Sequence, residues 1–169
     1  MDKLTKKRFK KILAQESAKI IVSQGIENFS DAKTKAAKKL NIENLGCLPS
    51  NCEIEKSLKE HYQIFVPATH AGYIKLMRET AIEIMNLFID FQTYVVGPVV
   101  SGTASSSSSI NIHLGTEDIY DVTQILDKNE MKYKFFDKKI KFNKKVNKVF
   151  CGLSLLYRTM VVEIVIFNS

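Results

Sequence analysis

A chain of 169 residues with 45% apolar content is long enough to close one hydrophobic core, and its net charge of +7 points to anionic rather than cationic partners. Its longest apolar runs, Val95–Val100 and Met160–Phe167, are too short to cross a bilayer, and the opening MDKLTKKRFKK has no apolar segment ahead of a small-residue cleavage site. The expectation is a cytoplasmic protein with no membrane partner, while Cys47, Cys52 and Cys151, odd in number and without CxxC spacing, argue against a disulfide framework or a zinc site.

Residues Thr5–Gln24 read as an amphipathic helix with Phe9, Ile12, Leu13, Ile20 and Ile21 on one side and Gly25 as its C-cap. Ser30 reads as the cap of a short lysine-rich helix, Asp31–Leu40. After Leu48-Pro49, the run Ser50-Asn51-Cys52-Glu53 has capping-box form and opens a helix to about Ile64, with Pro67 as its stop. His61 and His70 flank the end of that helix and read as surface residues. A longer helix, from about Ala71 to Phe91, carries Ile74, Met77, Ala81, Ile84, Met85 and Phe88 at helical spacing.

The period then changes. Tyr94–Val100 and Ile110–Leu114 are rich in β-branched residues and read as strands, and Thr116 reads as the N-cap of a helix Glu117–Asp127 whose early acids suit its positive end. Further strands follow over Lys132–Phe142, with Asp137-Lys138 as a candidate break, then Val149–Tyr157 and Met160–Phe167, the last two joined by a turn at Arg158-Thr159. The fold class is α+β, with a helical region over residues 1–92 packed on a mixed sheet over 93–169 as one compact unit.

Between the first two strands lies a Ser-Gly-Thr turn followed by a run of serines, Ser105–Ser109. Glycine lets backbone approach an anion, and amides and hydroxyls supply donors, so this composition suits a phosphate cradle. It is neither a Walker loop nor a dinucleotide loop, because the GxxxxGK[ST] and GxGxxG spacings are absent. A serine nucleophile is not indicated either, since no GxSxG elbow is present.

The order of helix, strand, Gly102-Thr103, strand and a later strand bearing Glu163 resembles the nucleotidyltransferase superfamily of the DNA polymerase beta type. More narrowly, the segment GPVVSGTA, the strand ending His113-Leu114 and the run Leu48-Pro49-Ser50-Asn51-Cys52-Glu53-Ile54-Glu55 are similar to a family of small bacterial nucleotidyltransferase-like proteins. The resemblance implies a turn that holds a nucleotide's phosphates, together with an Asp-x-Asp pair and a third carboxylate that bind Mg²⁺ or Mn²⁺ for nucleotidyl transfer. Alternate residues of a strand share a face, which is why carboxylates at i and i+2 converge on metals.

Carried onto this chain, Gly102 and Thr103 take the phosphate-turn positions, Glu163 the third carboxylate, and His113 the family's histidine, while Ser101, Ser105 and Ser109 join the phosphate-binding candidates through the composition of the turn and the serine run. The Asp-x-Asp pair is degenerate: Ser109-Ile110-Asn111 stands there, so Asn111 and Glu163 are the metal candidates and Glu163 and His113 the catalytic ones. Glu117 or Asp118 is a substitute carboxylate on position alone. The resemblance thus implies either a metal-dependent transferase or an inactive binding module for RNA or a protein.

Independently of the resemblance, eight lysines lie between Met131 and Lys148 against the single acid Asp137. Strand alternation predicts basic groups, including Lys138, Lys139 and Lys141, on one face and aromatics on the other, apart from a shift at the Asp137 bend. Such a face either meets an RNA backbone or is a solvated edge that blocks strand pairing.

Overall fold

The computed structural model describes residues 3–26, 28–42, 48–141 and 147–167. The protein is α+β: α1 (Lys3–Gln24), α2 (Phe29–Lys39), α3 (Asn51–Phe65) and α4 (Pro67–Leu87) precede β1 (Gln92–Val96), α5 (Pro98–Ser101), β2 (Ile110–Gly115), α6 (Ile119–Lys128), β3 (Tyr133–Lys141), β4 (Asn147–Tyr157) and β5 (Met160–Phe167). Among the described residues, no helix is long and apolar enough to cross a membrane. Two compact units are present, Met1–Gly72 with Ser105–Ser107, and Tyr73–Ala104 with Ser108–Ser169. The division falls inside α4 rather than at 92/93, because the buried residues of that helix from Ile74 onward all join the core under the sheet.

In the first unit α1 lies against both α2 and α3. Its inner face is narrower in side-chain size than the sequence suggests: Leu13, Ala14, Ser17, Ala18, Ile20 and Ile21 are buried, whereas Ile12 is exposed. Ala14 and Ala18 meet Ala32, Ile54 and Leu58, and small residues let helix axes approach closely. Buried Ser17 is satisfied by donating to the Leu13 carbonyl at 2.7 Å. Asn28, not Ser30, caps α2, its side chain accepting from the Ser30 amide at 2.8 Å. The capping box at Ser50 and Glu53 is formed, and these hydrogen bonds hold the Glu53 carboxyl below its ordinary pKa. Pro67 opens α4 instead of only ending α3, since proline lacks the amide that a first helical residue leaves unused. His61 and His70 are half-buried rather than surface residues; His70 stacks on Tyr62 at 3.7 Å and His61 packs on Phe65 at 4.6 Å.

The second unit is a five-stranded sheet in the order β1-β2-β5-β4-β3, with β2 and β5 parallel and every other pairing antiparallel. Along β2, Ile110, Ile112 and Leu114 alternate with half-buried Asn111 and His113. The apolar set, with Val162, Ile164 and Leu153, closes a core against Met77, Ile84 and Phe88 near α4 and Val122 and Leu126 of α6. β1 stops at Val96, short of the expected Val100, because Gly97 turns the chain (φ 76°, ψ −146°) and Pro98 cannot donate to a ladder; Val99 and Val100 form one helical turn instead. The helix after β2 starts later than Thr116 predicts. Thr116 accepts from the Asp118 amide, and Asp118 is the cap, accepting from Tyr120 N at 2.8 Å.

β3 runs through Asp137-Lys138 without a break, and its expected end at Phe142 lies outside the described residues. The β4–β5 hairpin turns at Arg158 and Thr159, both at positive φ (47° and 69°), the paired signature of a two-residue type I′ loop. A β-branched residue is strained there, whereas the Arg158 guanidinium contacts Glu83 at 2.9 Å and should be left in place. Thr159→Gly is expected to raise stability by about 1 kcal/mol, read as a higher urea midpoint at unchanged slope; no gain would mean that the turn relaxes the strain by itself.

Candidate functional site

The Ser-Gly-Thr turn is ordered by its own backbone. Gly97 O accepts from the amides of Val100 and Ser101, and Pro98 O accepts from those of Gly102, Thr103 and Ala104. Gly102 sits in the left-handed region at φ 71°, which explains glycine there. Thr103 is buried, and its hydroxyl and that of Ser101 are 2.7 Å apart. Arg78 of α4 secures the outside of the turn, donating from Nε to Val99 O and from Nη2 to Val100 O, each at 3.2 Å. The amides of Ser101, Gly102, Thr103 and Ala104 are therefore bonded to Gly97 O and Pro98 O, so this part of the loop is a self-closed turn and not an outward-facing nest. Ser105 groups with the first unit, where its hydroxyl lies 2.8 Å from that of Ser107. Ser109 offers its carbonyl to Asn111 Nδ2 at 3.2 Å.

The other predicted residues meet on the sheet face opposite the core. Cross-strand partners share a face, so the register orders this surface in rows. One row runs Val96, Asn111, Glu163, Ser154 and Lys134; the next runs Tyr94, His113, Val165, Gly152 and Phe136. Beside these, Gln92, Gly115, Phe167, Phe150 and Lys138 continue the pattern. Asn111 and Glu163 are thus neighbours, and His113 lies on the same face, as the parity of β2 requires. Asn111 Nδ2 also lies 3.7 Å from where a Cβ on Gly97 would sit, which places it at the mouth of the turn.

Lys138 changes the chemistry of this face. Its Nζ bonds Glu163 Oε2 at 2.8 Å, so its alkyl stem crosses from the outer row over the middle row, with Nζ 5.8 Å from the centre of the Phe136 ring. The uninterrupted alternation of β3 separates the three lysines predicted to act together. Lys138 shares a face with Phe136, Lys139 points to the opposite side with Phe135, and the Lys141 side chain lies outside the described residues. The single basic face opposed by an aromatic face is therefore corrected to a mixed one. His113 packs on Phe167 at 4.5 Å, and Phe150 packs on the other side of Phe167 at 4.4 Å. The Phe136 ring reaches over Gly152, where an added Cβ would lie 2.5 Å from it.

Whether Mg²⁺ or Mn²⁺ suits these residues follows from the donors. A metal pair needs several converging anionic oxygens, and this face offers a neutral amide at Asn111 and one carboxylate whose charge is already matched by Lys138. Asp118 is committed as a helix cap. Among the described residues, no group of three His, Cys, Asp or Glu side chains is placed to share a cation. The donor set does not fit a two-metal centre. Lys138 as partner of Glu163, Arg78 as clamp of the turn, and the rings of Phe136, Phe150 and Phe167 were not legible as site residues, because each depends on strand order or on a contact distant in sequence. No protein-family model matches the chain, and no curated protein matches it.

Burial first, and then the nearby Lys138 charge, push the His113 pKa below its ordinary 6.5. The unfolded chain then takes up this proton before the folded one on acidification. The contribution of the neutral ring is complete above about 6.5 and is lost as pH falls from there through the folded pKa. Equilibrium unfolding of the wild type between pH 7 and pH 5 is expected to show falling stability, with a shallower fall in His113→Phe. Parallel pH profiles for the two proteins would assign the fall to other groups.

Proposed function

We propose that this protein is a nucleotidyltransferase-like binding module without transferase chemistry, which takes nucleic-acid phosphates, RNA in particular, on the open face of its sheet. The observation that carries the reading is the Lys138–Glu163 contact at 2.8 Å. It puts a lysine ammonium beside the carboxylate that, in the resemblance, would hold a divalent cation. Support for the nucleotidyltransferase likeness comes from the β1–turn–β2 hairpin, the left-handed Gly102, and β5 lying parallel to β2 with Glu163 in register with Asn111. A single positive charge balances one carboxylate but leaves nothing to neutralise a reacting triphosphate, so binding is favoured over transfer.

A specific observation keeps the metal-dependent transferase as the second reading: Glu163 lies in register with Asn111 on the strand beside β2, where the resemblance would put the third carboxylate. The two readings differ in the sign of one substitution. In a binding module, Glu163→Gln releases Lys138 from its partner and strengthens RNA binding. In a transferase, it removes the main metal ligand. The test is RNA binding by fluorescence anisotropy in EDTA and in Mn²⁺, with titration calorimetry of the four nucleoside triphosphates alongside. The expected result is metal-independent RNA binding, tightened in Glu163→Gln with a salt slope steeper by about one charge. Binding that needs Mn²⁺ and disappears in Glu163→Gln would instead overturn the binding module in favour of the metal-dependent reading.

A further inference from the structure

The open face carries more than a cation. α4 and α6 bury Ile74, Met77, Ala81, Ile84, Val122 and Leu126 against the opposite side of the sheet from Tyr94, His113, Phe136, Phe150 and Phe167. An antiparallel sheet can leave one face to water, but such a face is ordinarily polar. This one instead holds rings on all five strands: Tyr94 on β1, His113 on β2, Phe167 on β5, Phe150 on β4 and Phe136 on β3. Tyr94 is 62% exposed at one edge. The middle of the row is filled, since Val165 is buried and the Phe136 ring lies over Gly152, so side-chain rings form the surface there.

Resting on the binding-module reading above, we infer that this face is a stacking platform for single-stranded nucleic acid, with bases on the rings and phosphates on the lysines. Charge complementarity supports the choice of partner. Lys134 and Lys138 lie on this face, and in the described strands its one acid, Glu163, is already matched by Lys138. At the end of the face near the β4–β5 turn, a groove of about 320 Å³ is lined by Lys132, Lys134, Ser154, Leu156 and Val161. Its apolar side chains, exposed Leu156 among them, suit a base, and its lysines suit the adjoining phosphate. His113, held toward its neutral form, serves as a flat ring rather than as a second cation.

Ring faces are selective for single strands. In an A-form duplex the bases are stacked on one another and their π-faces are closed, whereas a single strand can splay each base onto an aromatic side chain. A five-stranded sheet at about 4.8 Å between strands presents a surface about 19 Å across, enough for successive bases of one strand. A duplex would meet only the lysines.

The test is fluorescence anisotropy in EDTA with a labelled single-stranded RNA of about twelve nucleotides and with its duplex, using the wild type, Tyr94→Ala, Tyr94→Phe, Phe150→Ala and Lys134→Ala. The single strand is expected to bind at least about tenfold tighter than the duplex, Tyr94→Ala and Phe150→Ala each to weaken it about tenfold, and Tyr94→Phe to restore it. Lys134→Ala should weaken both RNAs and flatten the salt slope by about one charge. Tyr94 is exposed, so its substitution is expected to leave the melting temperature unchanged, which keeps a folding defect distinct from lost stacking. Equal binding of duplex and single strand, insensitive to the ring variants, would overturn the platform and leave the phosphate-binding reading standing. No binding of either RNA would overturn both and turn the face over to a protein partner.

Discussion

β5 pairs in parallel with β2 and antiparallel with β4, and β4 in turn carries β3, so residues far apart in the chain are lined up on a single surface. Register fixes which of them meet. A slip of one residue in β5 would send Glu163 into the core and bring Val162 or Ile164 to water, a change opposed by the burial of both apolar side chains. The core face thereby specifies the opposite one. The positions of Asn111, His113, Glu163 and Lys138 follow from the need to bury Ile110, Ile112, Val162 and Ile164, whatever ligand the open face takes.

Stability is a poor explanation for the ion pair at the centre of that face. The side chains of Lys138 and Glu163 are 42% and 24% exposed, and a partly solvated pair of this kind contributes on the order of 0–1 kcal/mol. What the contact does accomplish is positional. It fixes one ammonium among aromatic rings, near Phe136 and close enough to His113 to disfavour its protonation. On the binding-module proposal, a polyphosphate arriving there would compete with Glu163 for that ammonium, so the carboxylate would oppose anion binding where a metal ligand would assist it.

Local signals in the sequence were sufficient for the existence of α1 to α4 and α6, whose apolar spacing and Ser50–Glu53 box depend on residues a few positions apart. They were also sufficient to put Asn111 and His113 on the open face, since strand alternation needs no tertiary information. Element ends were less legible where two local signals compete: Pro67 serves as both a stop and a start, Asp118 outranks Thr116 as a cap, and Gly97-Pro98 overrides the β-branched run that follows. The bend expected at Asp137-Lys138 fails because β3 is held along its length by pairing with β4, a constraint that no window within β3 contains. The Lys138–Glu163 contact was illegible for the same reason: it depends on a strand order in which β5 lies between β2 and β4.

The Ser-Gly-Thr turn shows how a sequence can have the look of a phosphate loop while its donors point inward. A backbone nest attracts an anion only when successive amides point to a common outside position. Here the Pro98 carbonyl gathers the amides of Gly102, Thr103 and Ala104, while Arg78 spends two donors on the carbonyls of Val99 and Val100. Gly102 is required by its backbone angle, and Thr103 by its hydroxyl contact with Ser101, with no ligand involved. The residues that most resemble a nucleotide-binding motif are thus the ones the fold needs for itself, and the cations and rings able to meet a ligand lie on the sheet beside it. The phosphate-binding proposal therefore rests on the surface formed by β3, β4 and β5 rather than on the loop.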